Sequence, residues 1–371
     1  MKPSIIMEQN VKQQVTELAL QIQQIPAPSF EEGMRADFIQ NMFAAEGLAD
    51  IRRDSAGNVL ARLPGSGSAA PLVVSAHMDT VFPAGTDLSF RRTEGKLYGP
   101  GIGDNSLGVA GLFGLLWGLR ARAIQLPGDV WLVANTCEEG LGDLRGMRAI
   151  VEHFGELPRV YLVLEGMALG HIYHRGISVQ RYKIRVRAAG GHSWTDFGNP
   201  SAIHELGGLI SKIAAMKPPS RPHTTFNVGR IGGGTSINTI AAEAWMELDL
   251  RSEQPALLAD LSRRVEDLVE SQIRAGVTVS MEVIGQRPGG EVSAHDPVIQ
   301  LAQTCLRELG LEPVLTIGST DANIPLSKGL PALVLGLTRG SGAHTLDEAI
   351  EVEPVEQGLE QLVQFVSRLW N

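Results

Sequence analysis

Three short runs constrain this chain more than any other feature: PLVVSAH (71–77), DVWLVANT (129–136) and RVYLVLEG (159–166). Each is apolar along its length instead of alternating, so a strand built from it must be covered on both faces. Helical patterns lie between and around them, at 5–25, 32–46, 106–124 and within GDLRGMRAIVEHFG, and GNVLARLPG adds a further short strand. Apolar strands alternating with helices predict an α/β core. The longest apolar segment, GVAGLFGLLWGL (108–119), falls short of a membrane span and is read as a buried helix.

The pattern changes near Ile177. ISVQRYKIRVRA (177–188) alternates, with Val179, Tyr182, Ile184 and Val186 as the inward set and charges between them. A helix (about 200–216), strands at 224–231 and 242–250, a helix (about 255–274) and a strand at 277–285 follow. That order, β-α-β-β-α-β, is a split βαβ (ferredoxin-like) module. Beyond it come a helix at 296–309, strands at 313–317 and 331–337, and a C-terminal helix at 354–369. At 371 residues the chain is long enough for two cores. The expected plan is a core formed by 1–175 and 287–371, with 176–286 inserted as a smaller domain.

Composition narrows the class of function. Apolar residues are 43% and charged residues 20%, as in a folded soluble protein, and a net charge of −9 with scattered arginines argues against a nucleic-acid partner. Cys137 and Cys305 are the two cysteines, which excludes a disulfide scaffold and suits a reducing compartment. The start, MKPSIIMEQNVKQQ, lacks a signal-peptide apolar run. A cytoplasmic enzyme or binding protein, without a membrane partner, is the expectation.

The chemistry gathers where the apolar strands end. His77 and Asp79 close the first, two residues apart, so both point to one face if the strand runs through them. Alone, H-x-D is also the signature of a histidine bonded to an aspartate in a surface loop. Asp104 follows the glycine-rich YGPGIG and precedes the apolar helix, where it serves equally well as an N-cap. Glu138 and Glu139 follow the second strand with no lysine or arginine in the next five residues. Adjacent carboxylates at a buried strand end repel each other unless cations or hydrogen bonds offset the cost. A metal-binding glutamate beside one that handles protons would explain the pair. Glu165 ends the third strand, and His344 follows TRGSGA. Two histidines and several carboxylates suit zinc, cobalt or manganese, and two divalent ions can share one carboxylate. His171 and His174, at the expected domain crossing, read as hinge or interface groups.

With these segments assembled, the chain resembles the M20 family of metallopeptidases and amidohydrolases. HMDTVFPAGT, YGPGIGD, EEG, GGHS, INTI and GAH look most like its glutamate carboxypeptidase branch. The resemblance implies a dizinc exopeptidase-like catalytic domain with an inserted lid domain. It implies that His77 and Glu165 hold one ion, Glu139 and His344 the other, and that Asp104 bridges them. Asp79 would orient His77, and Glu138 would move the proton from water to the leaving amine. In the lid, His192 would stabilise the oxyanion, often across a dimer interface. Asn238 and Arg251 would bind substrate, Arg251 through a terminal carboxylate, with backbone amides of SGAH at Gly342 assisting. One departure stands out: the branch often carries D-x-K-G-G where this chain has Asp104-Asn105-Ser106-Leu107-Gly108.

The resulting expectation is a zinc-dependent hydrolase, with cobalt or manganese as alternative ions, cutting a peptide or N-acyl-amino-acid amide bond. Carboxypeptidase action on a small substrate with a free terminal carboxylate comes first. A di- or tripeptide aminopeptidase and an N-acetyl-amino-acid deacylase are the alternatives, and a non-enzymatic metal-binding protein is the reading furthest from the residues. A homodimer through the lid is expected from the resemblance and from an open strand edge.

Overall fold

The computed structural model describes residues 4–371, with side chains from residue 11 onward. The chain forms two compact units, Met1–Gly176 with Gly290–Asn371, and Ile177–Gly289. The second crossing falls three residues beyond the sequence expectation, because the last strand of the inserted unit runs on to Arg287.

The first unit begins with helices α1 (Ser4–Gln23) and α2 (Gly33–Ala45), strands β1 (Ala49–Arg53), β2 (Val59–Leu63) and β3 (Leu72–His77), and helix α3 (Leu107–Ala121). It continues through β4 (Val130–Asn135), α4 (Arg145–Phe154), β5 (Val160–Glu165) and β6 (His171–Gly176). The inserted unit then supplies β7 (Ser178–Ala188), α5 (Ala202–Ala214), β8 (Thr224–Gly233), β9 (Glu243–Ser252), α6 (Pro255–Glu270) and β10 (Val277–Arg287). The chain returns to the first unit as α7 (Pro297–Glu308), β11 (Val314–Gly318), β12 (Ala332–Gly336) and α8 (Val355–Arg368). Asp296 caps α7 by accepting the Val298 N–H at 2.8 Å, and Pro297 fills the first turn, where a missing N–H is harmless.

The main sheet runs β1-β2-β4-β3-β5-β12-β6. β4, β3, β5 and β12 are mutually parallel at its centre, flanked by antiparallel neighbours. Every residue of β3 and β12 is buried, and β5 is buried up to its last residue, which is why these runs are apolar without alternation. Parallel strands end on one edge, so His77, Asn135 and Glu165 finish at the same edge of the sheet. The apolar segment Ile102–Ala121 is long enough to cross a membrane, but 83% of its window lies inside this core.

A second, smaller sheet orders 340–341, 349–351, 96–98 and 91–93 side by side. It places the chain entering Asp104 next to the hairpin that carries His344.

In the inserted unit the strands lie β8-β9-β7-β10, all antiparallel. That is the split βαβ arrangement, and α5 and α6 close one face over Ile184, Val186, Met246, Leu248 and Leu250. The other face carries a cross-strand ladder of charge, Arg181–Asp249, Lys183–Glu247, Arg185–Glu282 and Arg187–Glu243.

Candidate metal centre

His77, the last residue of β3, is 1% exposed in its side chain and sits where the parallel strands end. Its Nε2 lies 3.2 Å from Asp104 Oδ1 and 3.8 Å from Glu165 Oε2. His344 Nε2 lies 3.1 Å from Asp104 Oδ2 and 3.2 Å from Glu139 Oε1. The two oxygens of Asp104 therefore face one imidazole each, and each imidazole has a second carboxylate of its own. Among the described residues, His77, Asp104 and Glu139 form a group with ligand atoms within 4.8 Å of one another, which links the two halves.

Electrostatics give this cluster its character. Burial alone would raise Asp104, but hydrogen bonds from His344 and His77 hold it well below the ordinary range. His344 is raised to about 10 by its hydrogen bonds to Asp104 and Glu139. Burial works against the charged His77, yet hydrogen bonds to Asp104, Asp79 and Glu165 raise it well above 6.5. Burial raises Glu165, pushes Asp321 up to about 7, and pushes Glu348 up to about 7. Carboxylates crowded out of water around two imidazoles form a donor set that divalent cations neutralise. The spacing suits them too: two ligands on a tetrahedral zinc ion stand about 3.3 Å apart, and the four imidazole–carboxylate pairs span 3.1 to 3.8 Å.

Behind this cluster lies a layer of which the sequence reading named only Asp79. Asp79 is wholly buried. Its Oδ1 accepts the Glu138 N–H and its Oδ2 the Glu139 N–H, both at 2.9 Å, while Ser29 Oγ donates to Oδ2 at 2.6 Å. His77 Nδ1 lies 3.0 Å from the Asp79 carbonyl oxygen and 3.5 Å from Oδ1, so the main chain is its nearer partner. Glu32 accepts the Cys137 N–H at 3.0 Å, and Cys137 itself is held at a left-handed φ of 56°. Arg35, fully buried and lowered to about 10 by burial, donates to the carbonyls of Met78 (2.6 Å) and Ile25. The segment 29–35 thus braces both the His77 strand end and the turn bearing the glutamate pair.

Asn105 ties Asp104 to Glu165. Its Nδ2 donates to Leu164 O at 2.8 Å and its Oδ1 accepts the Gly166 N–H at 3.0 Å, gripping the main chain on either side of Glu165. A Cβ at Gly108 would collide with this folded-back amide, which accounts for the glycine that closes DNSLG. Glu348 accepts the N–H groups of Gly101, Gly103 and Asp104 at 3.1, 2.7 and 2.7 Å. Asn135, beside His77 in register, donates to Asp321 at 2.6 Å. The proximity of Asn105 to Asp104 and of Glu348 to His344 in sequence was the available signal for two of these residues.

The remaining candidates are Gly342 and three residues of the inserted unit. Gly342, at φ 74°, opens the turn into His344, its carbonyl accepting the Thr345 N–H at 3.0 Å. His192, Asn238 and Arg251 belong to the inserted unit. There Gly191–His192 pairs with Thr239–Ile240, and Ser193 N–H donates to Asn238 O at 3.0 Å, so His192 and Asn238 are neighbours. The Trp194 and Thr195 N–H groups donate to His192 Nδ1 at 3.2 and 3.4 Å, which leaves the proton of the neutral ring on exposed Nε2. Arg251 near the end of β9 is paired through Nε to Asp249 at 2.7 Å, an anchor its sequence context did not announce. His171 and His174 fall on one strand three residues apart and so face oppositely; His171 is exposed, and buried His174 lies with Nδ1 2.6 Å from Val292 O.

Histidines and carboxylates converging at the carboxyl edge of a parallel sheet, with a second glutamate beside one of them, define a metal-dependent hydrolase of the α/β class. The family model described as Peptidase family M20/M25/M40 matches residues 73–368. The chain belongs to that family, whose members are metallopeptidases and amidohydrolases. It is 28% identical over 353 residues to a succinyl-diaminopimelate desuccinylase of Corynebacterium glutamicum, covering 92% of this chain and 93% of that one. It is 25% identical to carboxypeptidase G2 of a Pseudomonas species, over 91% of this chain and 85% of the relative. In structure it resembles a tripeptidase from Staphylococcus aureus, with a TM-score of 0.82 and 22% identity across 96% of this chain and 98% of the other.

Proposed function

We propose that this protein hydrolyses the amide bond of a small peptide or N-acyl amino acid bearing a free terminal carboxylate. The observation that carries the reading is Asp104, with one oxygen 3.2 Å from His77 and the other 3.1 Å from His344. A carboxylate so placed is the natural bridge between two divalent ions, zinc first, with cobalt or manganese as alternatives. His77, Glu165 and Asp104 would hold one ion, and Glu139, His344 and Asp104 the other. When bound, such a pair of ions polarises the scissile carbonyl and lowers the pKa of water.

The chain's own groups do the rest. Glu138 receives the proton of the attacking water and returns it to the departing amine, and Asp79 sets its main chain for that task. His192, with its proton on Nε2, donates to the oxygen that becomes negative. Asn238 contacts substrate, and Arg251 presents its guanidinium to the carboxylate while Asp249 steadies it through Nε at 2.7 Å and Nη2 at 3.4 Å. The Gly342 turn supplies main-chain contacts to the same group. We place the enzyme in the cytoplasm, in keeping with two free buried cysteines, and as a homodimer through its inserted unit.

The desuccinylase and carboxypeptidase relatives support an amide whose amine side is an amino acid; the tripeptidase-like structure keeps an aminopeptidase reading in view. Matched dipeptides and N-acyl amino acids, each with its terminal amine or its terminal carboxylate blocked, decide between them. Turnover should survive blocking of the amine and vanish on amidation of the carboxylate. The reverse pattern would establish an aminopeptidase.

A further inference from the structure

We propose that Glu348 is the positioning residue that sets the Asp104 carboxylate midway between the two histidines, and through it the geometry of both ion sites. The inference rests on the metal-bridging reading of Asp104 given above.

Glu348 is wholly buried, and a carboxylate taken out of water demands hydrogen bonds in return. It takes them from a single stretch of main chain. Oε1 accepts the N–H groups of Gly103 and Asp104, each at 2.7 Å, and Oε2 accepts that of Gly101 at 3.1 Å. The Glu348 carbonyl accepts the Gly99 N–H at 2.9 Å. Residues 99–104 are therefore wrapped around one side chain. The wrap needs glycine: Gly101 has a φ of 73°, and a Cβ there would stand 2.8 Å from Thr80 Cγ2.

Asp104 is thereby held at two points by one hairpin. Its main-chain nitrogen is fixed by Glu348, and its Oδ2 lies 3.1 Å from His344, four residues earlier in the same loop. The small sheet that joins 349–351 to 96–98 carries both halves of this grip. Had Glu348 only to stabilise the loop, its bonds could fall anywhere along it; instead the shortest two end on Asp104 and the residue before it. Fixing that nitrogen fixes where the short aspartate side chain can reach, and so whether each oxygen meets its own imidazole.

Glu348→Gln is the informative change, because it keeps the shape and replaces one acceptor oxygen with an NH2 group that must face an N–H. The experiment uses the full-length protein stripped of metal and titrated with Co2+ by calorimetry, with electron paramagnetic resonance to read magnetic coupling between neighbouring ions. Wild type should take two ions whose spins are coupled through the shared carboxylate. Glu348→Gln should bind Co2+ at least about tenfold more weakly, in the range typical of residues that orient ligands, and its ions should appear uncoupled. The control is Leu362→Ala, a core change in α8, which lowers the melting temperature but should leave affinity and coupling at wild-type values. Glu348→Asp, which keeps the charge but shortens the arm, should behave like the glutamine variant. If Glu348→Gln and Glu348→Asp both bind two coupled ions with wild-type affinity, Glu348 does not position Asp104 and the inference is overturned. If wild type itself takes no ion, the metal reading falls and this inference with it, so the two failures are told apart by the wild-type trace.

Discussion

Oδ1 of Asp79 accepts the main-chain N–H of Glu138 at 2.9 Å, across 59 positions of sequence. Its other oxygen does the same for Glu139. Asp79 therefore seats Glu138 and Glu139, the proposed proton carrier and the proposed ligand, together, with its own carbonyl oxygen 3.0 Å from His77 Nδ1. Replacing it by asparagine puts an NH2 group against one of these N–H donors while leaving the volume unchanged. Asp79→Asn should lower kcat by roughly 10- to 100-fold, with a smaller effect on KM. Steady-state kinetics with metal analysis checks this; a variant with wild-type kcat would show that the glutamate turn holds its shape unaided.

The adjacent glutamates should fail differently. Glu138→Ala removes the proposed proton carrier, so turnover should drop by at least about 10²-fold while both ions stay bound. Glu139→Ala removes the carboxylate 3.2 Å from His344 and should weaken metal binding as well as turnover. Metal content after dialysis, measured beside kcat, separates the two. Near-normal turnover by Glu138→Ala at demonstrated metal saturation would sink the assigned mechanism.

The positions of His77, Glu139 and Glu165 were legible because buried parallel strands are apolar throughout, so a polar residue at the end of such a run announces the sheet edge. Asp104 and His344 were legible only in company, since each alone passes for a helix cap or a loop residue. Ser29, Arg35, Asn105 and Glu348 stayed hidden for one physical reason: they act on main-chain groups, or on Asp79 across 50 residues, and main-chain N–H and C=O look alike in every sequence. The two- and three-residue strands of the small sheet escaped because no periodicity can be read from so few residues. β1 escaped because ADIRR is partly exposed and bulged, with Asp50 at a φ of 49°.

Metal loading should release protons. His344 is raised to about 10 by its hydrogen bonds to Asp104 and Glu139, so its ring is protonated at pH 7.5; His77, though burial opposes its charge, is raised in the same direction by its carboxylate partners. A ligand imidazole must be neutral, so metal entering beside His344 displaces its proton, and apparent affinity should rise with pH. The same shift bears on the metal-free fold. A histidine whose pKa is higher folded than unfolded contributes stability that is complete below the unfolded value of about 6.5. That contribution is lost as pH climbs toward about 10. Calorimetric titrations in two buffers of different ionisation enthalpy should give different apparent heats at pH 7.5; identical heats would mean that the His344 ring is neutral before metal arrives.

Asn105 offers a test of how the Asp104 and Glu165 segments are joined. Its amide is buried and satisfies one carbonyl and one N–H flanking Glu165. Asn105→Ala strands both, each unsatisfied group costing about 1–3 kcal/mol, so a loss of about 2–6 kcal/mol in stability is expected. Asn105→Asp is more discriminating. The introduced carboxyl can still accept from Gly166, but its second oxygen meets the Leu164 carbonyl and requires a proton to bond with it. Burial beside that carbonyl raises the folded pKa of the new group above its unfolded value of about 3.9. The folded state then holds more protons than the unfolded one, so stability falls as pH rises through that window. Relative to wild type, the melting temperature of Asn105→Asp should be nearly preserved at pH 4 and clearly depressed at pH 8. A deficit that does not change with pH would show that the Leu164 carbonyl is not the partner that matters.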